Sequence, residues 1–251
     1  MKTTGNTILI TGGNSGIGRR LAESLQALEN EVVITGRNKQ SLAETVRANP
    51  SLKSAILDLE DASQIKTFAD NLTKDYPALN VLINNAGIMR AENLLAQPLD
   101  LGDMETIITT NLLGPLRLTT ALLPHLQKQP EATIINVSSG LAFVPLALTP
   151  TYSATKAAIH SYTQALRFQL RETNIQVIEL IPPAVATELM PGQSANPNSM
   201  PLAEYISESL HLLMTQPSAP EISVERVKFL RYAAESGQFD TVFNTLNQRR
   251  A

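Results

Sequence analysis

Cysteine and tryptophan are both missing from the 251 residues. Without cysteine there are no disulfides, thiolate nucleophiles or thiolate-held metals, so any chemistry must rest on oxygen and nitrogen groups. Histidine is scarce as well: His125, His160 and His211 stand apart, in no metal-ligand spacing, so each reads as structural or surface and no metal is expected. An excess of one charge is also lacking, since 20 Lys and Arg face 23 Asp and Glu for a net charge of −3. Basic residues scattered singly leave no footprint for nucleic acid or anionic lipid. No apolar run approaches the ~20 residues of a membrane span, and Met1 leads into a short strand-like segment without a cleavable hydrophobic stretch. A soluble, cytoplasmic protein with a small-molecule partner is expected, without a nucleic-acid or membrane partner.

What is present is apolar periodicity. Thr7 to Thr11, Glu31 to Thr35, Ser54 to Leu57, Val81 to Asn84, Thr133 to Val137 and Gln176 to Ile181 read as six strands apolar on both faces, the pattern of a buried parallel sheet. Amphipathic stretches at Ile17 to Leu28, Lys39 to Ala48, Ala62 to Lys74, Met104 to Gln127 and Thr155 to Glu172 separate them. Right-handed crossovers place such helices on both faces, so the expected fold class is α/β: a doubly wound parallel sheet in a single domain over 1–251. Beyond Ile181 the texture changes. Pro182, Pro183, Pro191, Pro197 and Pro201 bracket a Gly/Ser/Asn-rich stretch around Gly192 to Ser199, so 183–220 is expected to be a loop region, either a substrate lid or a surface excursion. The tail, 221–251, reads as two helices between Ser223 and Arg250. Their core-facing stripes are Val224, Val227, Leu230 and Ala234, then Phe239, Val242, Phe243 and Leu246.

Several short segments carry chemistry. Tyr152 and Lys156 stand four residues apart at the head of a helical stretch, on one face and roughly 6 Å apart along the axis. A fixed cation there favours the phenolate and brings the phenol proton within use; taken alone, the pair also suits a half-buried aromatic beside a solvated lysine. Gly12, Asn14, Ser15, Gly16, Ile17 and Gly18 follow the first strand and open the first helix. Their glycines permit a tight turn and let the backbone approach a pyrophosphate at the helix N-terminus, although a purely structural turn has the same letters. The second strand ends in Gly36 and Arg37, where a carboxylate for ribose hydroxyls is lacking and a planar cation suits a 2′-phosphate. NADP(H) is therefore expected over NAD(H), with a solvated loop arginine as the alternative. Asp58 and Leu59 close the third strand, placed for an adenine amino group or a helix cap. Asn85, Ala86 and Gly87 close the fourth, small enough for backbone to lie against a cofactor or to form a simple turn.

Taken together, and in this order, these segments resemble the short-chain dehydrogenase/reductase family over about residues 5 to 190. The family's Asn-Ser-Tyr-Lys tetrad has counterparts in Asn111, Ser139, Tyr152 and Lys156, with Ser139 thirteen residues before Tyr152. The resemblance implies a Rossmann fold and an NADP(H)-dependent interconversion of carbonyl and alcohol. It implies that Tyr152 exchanges the proton, Ser139 holds the substrate oxygen and Lys156 lowers the Tyr152 pKa and binds the nicotinamide ribose. Asn111 corresponds to the residue that holds a water near the lysine, and Pro182, Val185 and Thr187 to the segment beside the nicotinamide. Two departures stand out: Pro182-Pro183 replaces the family's usual Pro-Gly, and Phe239 to Leu246 looks helical where many relatives have a seventh strand. Both features resemble a minor branch named for an oxidoreductase associated with D-alanyl-lipoteichoic acid genes. The resemblance also implies a homodimer through the helices near 104–127 and 155–172, with a tetramer as the alternative. Apolar Leu141 to Leu148 is expected to line the substrate side or to pack internally. Two other functions keep the same nucleotide site: a non-catalytic NADP(H) sensor, and an NAD-dependent sugar epimerase or dehydratase.

Overall fold

A computed structural model describes residues 1–96 and 101–248. Seven strands form one parallel sheet in the order β3-β2-β1-β4-β5-β6-β7. The strands are β1 (Thr7–Thr11), β2 (Glu31–Gly36), β3 (Lys53–Ile56), β4 (Leu79–Asn84), β5 (Ala132–Val137), β6 (Ile175–Ile181) and β7 (Glu221–Ser223). The chain reverses direction across the sheet between β1 and β4, the point at which a doubly wound sheet opens a crevice at its carboxyl edge. Alternate residues of the central strands feed two cores, while β3 at the sheet edge is mostly exposed. Ile8, Ile10, Val32, Ile34, Val81 and Ile83 belong to one core and Leu9, Val33 and Leu82 to the other. Each fully buried Leu or Ile contributes about 1.5 to 3 kcal/mol, which is why Ile8, Leu9 and Ile10 of β1 are apolar in succession rather than alternating with polar residues.

Helices α1 (Gly16–Ala27), α2 (Lys39–Ala48) and α7 (Leu202–Thr215) cover the first core, with Leu21, Leu25, Leu42, Tyr205 and Leu213 buried. Helices α3 (Ala62–Asp75), α5 (Gly114–Leu126) and α6 (Pro150–Gln169) cover the second, through Ile65, Leu72, Leu118, Leu122 and Leu166. The expected helix from Met104 to Gln127 is broken up: α4 (Gly102–Ile108) passes through a π-helical turn, Thr109–Leu113, into α5. Helix α6 begins five residues before the expected Thr155, because Pro150 takes the first helical position, where its missing N–H is no loss.

The C-terminal third departs further from expectation. The region 183–220 is not all loop, since α7 occupies much of it and packs on α1. A seventh strand exists after all: β7 adds three residues beside β6, too short to register against a proline-rich background. The tail then makes a short helix, α8 (Lys228–Arg231), and a longer one, α9 (Phe239–Gln248); residues 249–251 of the expected tail lie outside the described residues. Ala233, not Ala234, completes the buried stripe with Leu230, because the chain turns before a second helical period is finished.

Candidate active site

The carboxyl ends of β1 and β4 are stitched together at the crevice. The Thr11 hydroxyl accepts from the Asn85 and Ala86 backbone N–H groups, both at 3.0 Å, and the Asn85 amide donates back to the Thr11 carbonyl at 2.9 Å. This contact explains the glycines. A Cβ at Gly12 would lie 2.9 Å from the Ala86 Cα, and one at Gly18 would lie 2.3 Å from Asn85 Nδ2. Gly12 also has φ 66°, a backbone state that only glycine adopts at little cost. Ser15 starts α1 without a side-chain cap, so the first-turn N–H groups remain available to an anion. They face a cleft of about 730 Å³, and every residue expected to hold the dinucleotide, from Gly12 through Arg37, Asp58 and Asn85 to Thr187, lines it. Uncapped helix N–H groups, a glycine cradle and small residues over the strand ends fit a dinucleotide.

At the far end of the cleft, beside β2 and β3, the Arg37 guanidinium pairs with Glu60 at 2.6 Å. Glu60 also accepts from the Thr110 hydroxyl at 3.3 Å, and its N–H bonds the Asp58 carboxylate at 3.0 Å. Asp58 is thus the anchor of a turn as well as part of the cleft wall. Nothing in the spacing of the chain pointed to Glu60.

The other end holds the tetrad residues. Tyr152 lies in the first turn of α6 at 6% exposure and Lys156 one turn later at 4%. The Lys156 ammonium donates to the Val137 carbonyl at the end of β5 at 2.8 Å and stands 5.6 Å from the Tyr152 ring centre. Burial drives the Lys156 amine down to about 8, with the Glu179 carboxylate pulling it back up. Burial pushes the Tyr152 phenol up to about 12, against the Ser139 hydroxyl, which lowers it. The expected lowering of Tyr152 by Lys156 is therefore reversed: desolvation outweighs a cation that points at a backbone carbonyl.

Ser139 begins a 3-10 turn after β5, and its oxygen accepts from the Leu141 N–H at 3.1 Å. Its own O–H meets the Tyr152 phenol and lowers that group's pKa. Asn111 is the middle of the π-helical turn, where one extra residue per turn swings a side chain out of helical register. Its amide clasps the Ile88 backbone, accepting from N–H and donating to C=O, both at 2.8 Å, and donates to the Thr155 hydroxyl at 3.3 Å. Unlike the other three tetrad residues, Asn111 lies behind the cleft wall. A Cβ at Gly87 would meet Asn111 Oδ1 at 3.4 Å and Lys156 Nζ at 3.7 Å, so these two flank the same small space.

Tyr152 and Ser139 stand between the dinucleotide cleft and a second cavity of about 530 Å³. Of the expected substrate-side segment, Leu141 and Leu146 reach this cavity. Val144 packs instead against Leu230 and Ala233, and Phe143 stands edge-on to His160. The region 183–220 adds Leu189, Gln193 and Asn198 to the wall, whereas Met89, Arg226 and, from α9, Val242 and Leu246 were not legible in the sequence. Asn247 fastens α9 over the segment, accepting from the Ala147 N–H at 2.6 Å and donating to the Pro145 carbonyl at 3.2 Å.

His160 is not isolated, contrary to expectation. It bonds the fully buried Glu179 at 2.8 Å, and Glu221 stands beside Glu179 in register on β7. The ligand atoms of the three lie within 4.8 Å of one another, but the cation there is Arg231, bonded to both Glu221 oxygens at 2.7 and 3.1 Å. No helix among the described residues is long and apolar enough to cross a membrane.

The family model of the short chain dehydrogenases matches residues 6–198. The uncharacterized oxidoreductase DltE of Bacillus subtilis is 42% identical over 98% of both chains. Among solved structures, a short chain dehydrogenase from Burkholderia cenocepacia in complex with NADP is 25% identical, with a TM-score of 0.81 over 98% of this chain and 99% of that one. A second, from Burkholderia phymatum in complex with NAD, shares the fold at 19% identity and a TM-score of 0.81 over 96% of each chain. With its sheet order, glycine turn and family match in place, the chain belongs to the short-chain dehydrogenase/reductase family of oxidoreductases, in the branch typified by DltE.

Proposed function

We propose that this oxidoreductase interconverts a carbonyl and an alcohol with NADP(H), Tyr152 acting as the general acid and base. The observation that carries the reading is the pair of hydroxyls, Tyr152 and Ser139, in the wall shared by the two cavities. A nicotinamide bound in the larger cavity supplies or accepts the hydride.

In the reducing direction the carbonyl oxygen gains charge and needs donors already in place. Tyr152, pushed up to about 12 by burial, keeps its proton at neutral pH and gives it up to the more basic alkoxide that forms as the carbonyl is reduced. Ser139, whose oxygen accepts from the Leu141 N–H and whose hydroxyl meets Tyr152, turns its O–H to the same carbonyl oxygen when the substrate enters. Lys156 spends one N–H on the Val137 carbonyl and keeps two for the nicotinamide ribose. Asn111 holds Ile88 and, through it, the floor beside Lys156, with one Oδ1 lone pair left to accept from a water.

Arg37 supports the phosphorylated cofactor, and Glu60 is its competitor. The pair is half exposed, with side-chain exposures of 54% and 32%, and such a pair is worth about 0 to 1 kcal/mol. A doubly charged 2′-phosphate outbids one carboxylate at that price. Arg37→Asp is expected to weaken NADPH binding by about tenfold or more while NADH improves; an unchanged preference would move phosphate recognition elsewhere.

The central test is Tyr152→Phe. Turnover of a carbonyl panel should fall by about 100-fold to 10,000-fold, while NADPH affinity by fluorescence titration stays within about twofold. Retained turnover would remove Tyr152 from the mechanism.

A further inference from the structure

The second cavity is chemically two-ended. Its floor is apolar, with Met89, Leu146 and Tyr152 buried together and Leu141, Leu189 and Leu246 packed on them. Its mouth carries Arg226 and Phe229, the latter 58% exposed. Among the described residues Arg226 is the only charged one lining this cavity, and it does not line the dinucleotide cleft. The dinucleotide phosphates therefore do not account for it.

The state of its charge sets Arg226 apart. Of the other arginines lining the two cavities among the described residues, Arg37 pairs with Glu60 and Arg90 with Asp103. Among the described residues Arg226 has no carboxylate partner; its one hydrogen bond runs from Nη2 to the Asn198 carbonyl at 3.0 Å. A guanidinium has five donors, so most of its fork remains open. The Asn198 side chain, on the same cavity wall, likewise has no hydrogen bond among the described residues. An unpaired planar cation over an otherwise neutral pocket attracts an anion and matches two oxygens at once.

We propose that the substrate carries a carboxylate or equivalent oxyanion at the end remote from its carbonyl, and that Arg226 is the side chain that selects it. This builds on the carbonyl-reductase reading above and makes it narrower: an apolar chain lies on the floor beside Tyr152, and the anion meets Arg226 at the mouth. A largely apolar substrate, which apolar Leu141 to Leu148 suggests, fits the floor of the cavity but gives Arg226 no partner.

The test compares alkanals from butanal to octanal with semialdehydes of the same lengths, succinic to suberic, with NADPH and with NADH. At the best length the semialdehyde should exceed its alkanal in kcat/KM by about tenfold or more, the size of one charge-assisted hydrogen bond. That advantage should shrink with added salt, because the mouth is exposed. Arg226→Gln should bring the ratio near unity, and Arg226→Lys should keep part of it. Alkanals accepted as well as semialdehydes would overturn the inference and leave the carbonyl-reductase reading standing. An equal fall in both series on Arg226→Gln would also overturn it, since Arg226 would then only brace the Asn198 segment. If no member of either series is turned over, the inference is overturned, while the carbonyl-reductase reading stands or falls separately on NADPH oxidation with the ketones of the carbonyl panel.

Discussion

Lys156 is a buried amine held at a cost to the fold. Its pKa falls from 10.5 to about 8 through burial, so below pH 8 the folded protein carries a charge that the unfolded chain solvates better. Between pH 8 and 10.5 the unfolded chain holds the proton that the folded one has lost, and stability from this group rises with pH. Lys156→Met should accordingly melt about 5 °C higher near pH 7, with the gap closing toward pH 10.5 in calorimetric scans. A gap that did not vary with pH would mean that packing, not charge, sets the difference. Glu179 opposes the shift from the neighbouring strand. Glu179→Gln should therefore lower the Lys156 pKa further and move the alkaline limb of the kcat/KM profile to lower pH, whereas an unmoved limb would uncouple the two groups. Neither effect was legible in the chain: the spacing of Tyr152 and Lys156 placed them on one helix face, but only the packing around α6 decided that burial would dominate.

Among the elements, the first turn and the π-helical turn show two kinds of constraint. Gly18 is required by contact, since a Cβ would stand 2.4 Å from the Gly12 carbonyl oxygen as well as against Asn85. Gly16 is required by conformation, with φ 51° and nothing nearer to its Cβ than Thr187 Cγ2 at 3.5 Å. Gly18→Ala should lose about 2 kcal/mol and most of the NADPH affinity, and Gly16→Ala only about 1 kcal/mol. Thermal melts that reversed this order would show the turn to be softer than its contacts imply. The glycine pattern was readable because a turn between strand and helix is a local object. The π-helical turn was not, because one extra residue leaves the apolar periodicity of Met104 to Gln127 nearly intact while swinging Asn111 onto Ile88.

At the scale of the molecule, the cofactor and substrate sides are built from different parts of the chain. The dinucleotide cleft is lined by residues up to Leu202, whereas the second cavity also takes Arg226, Phe229 and Leu230, and Thr241, Val242, Thr245 and Leu246 from α9. Removal of the chain beyond Gln238 should cost about tenfold or more in kcat/KM for carbonyl substrates and leave the NADPH Kd within about twofold. A matching loss of NADPH affinity in the same titration would show that α9 supports the whole crevice. The sheet itself should survive that truncation, because Phe239, Val242 and Phe243 pack in a satellite cluster around Val144 and not in either main core.

The amino-acid sequence alone determined the parallel sheet, the glycine turn and the place of Tyr152 and Lys156 on one helix face. Each depends on periodicity or on residues close together in a strand-turn-helix unit, where local geometry leaves few alternatives. Tertiary structure alone decided what surrounds them. The upward shift of Tyr152, the pairing of Arg37 with Glu60, the partnership of His160 and Glu179, and the closure of the substrate cavity by α9 all join residues distant in the chain. Desolvation and charge pairing are properties of what lies around a group in space, and these contacts form only when the β-α units stack.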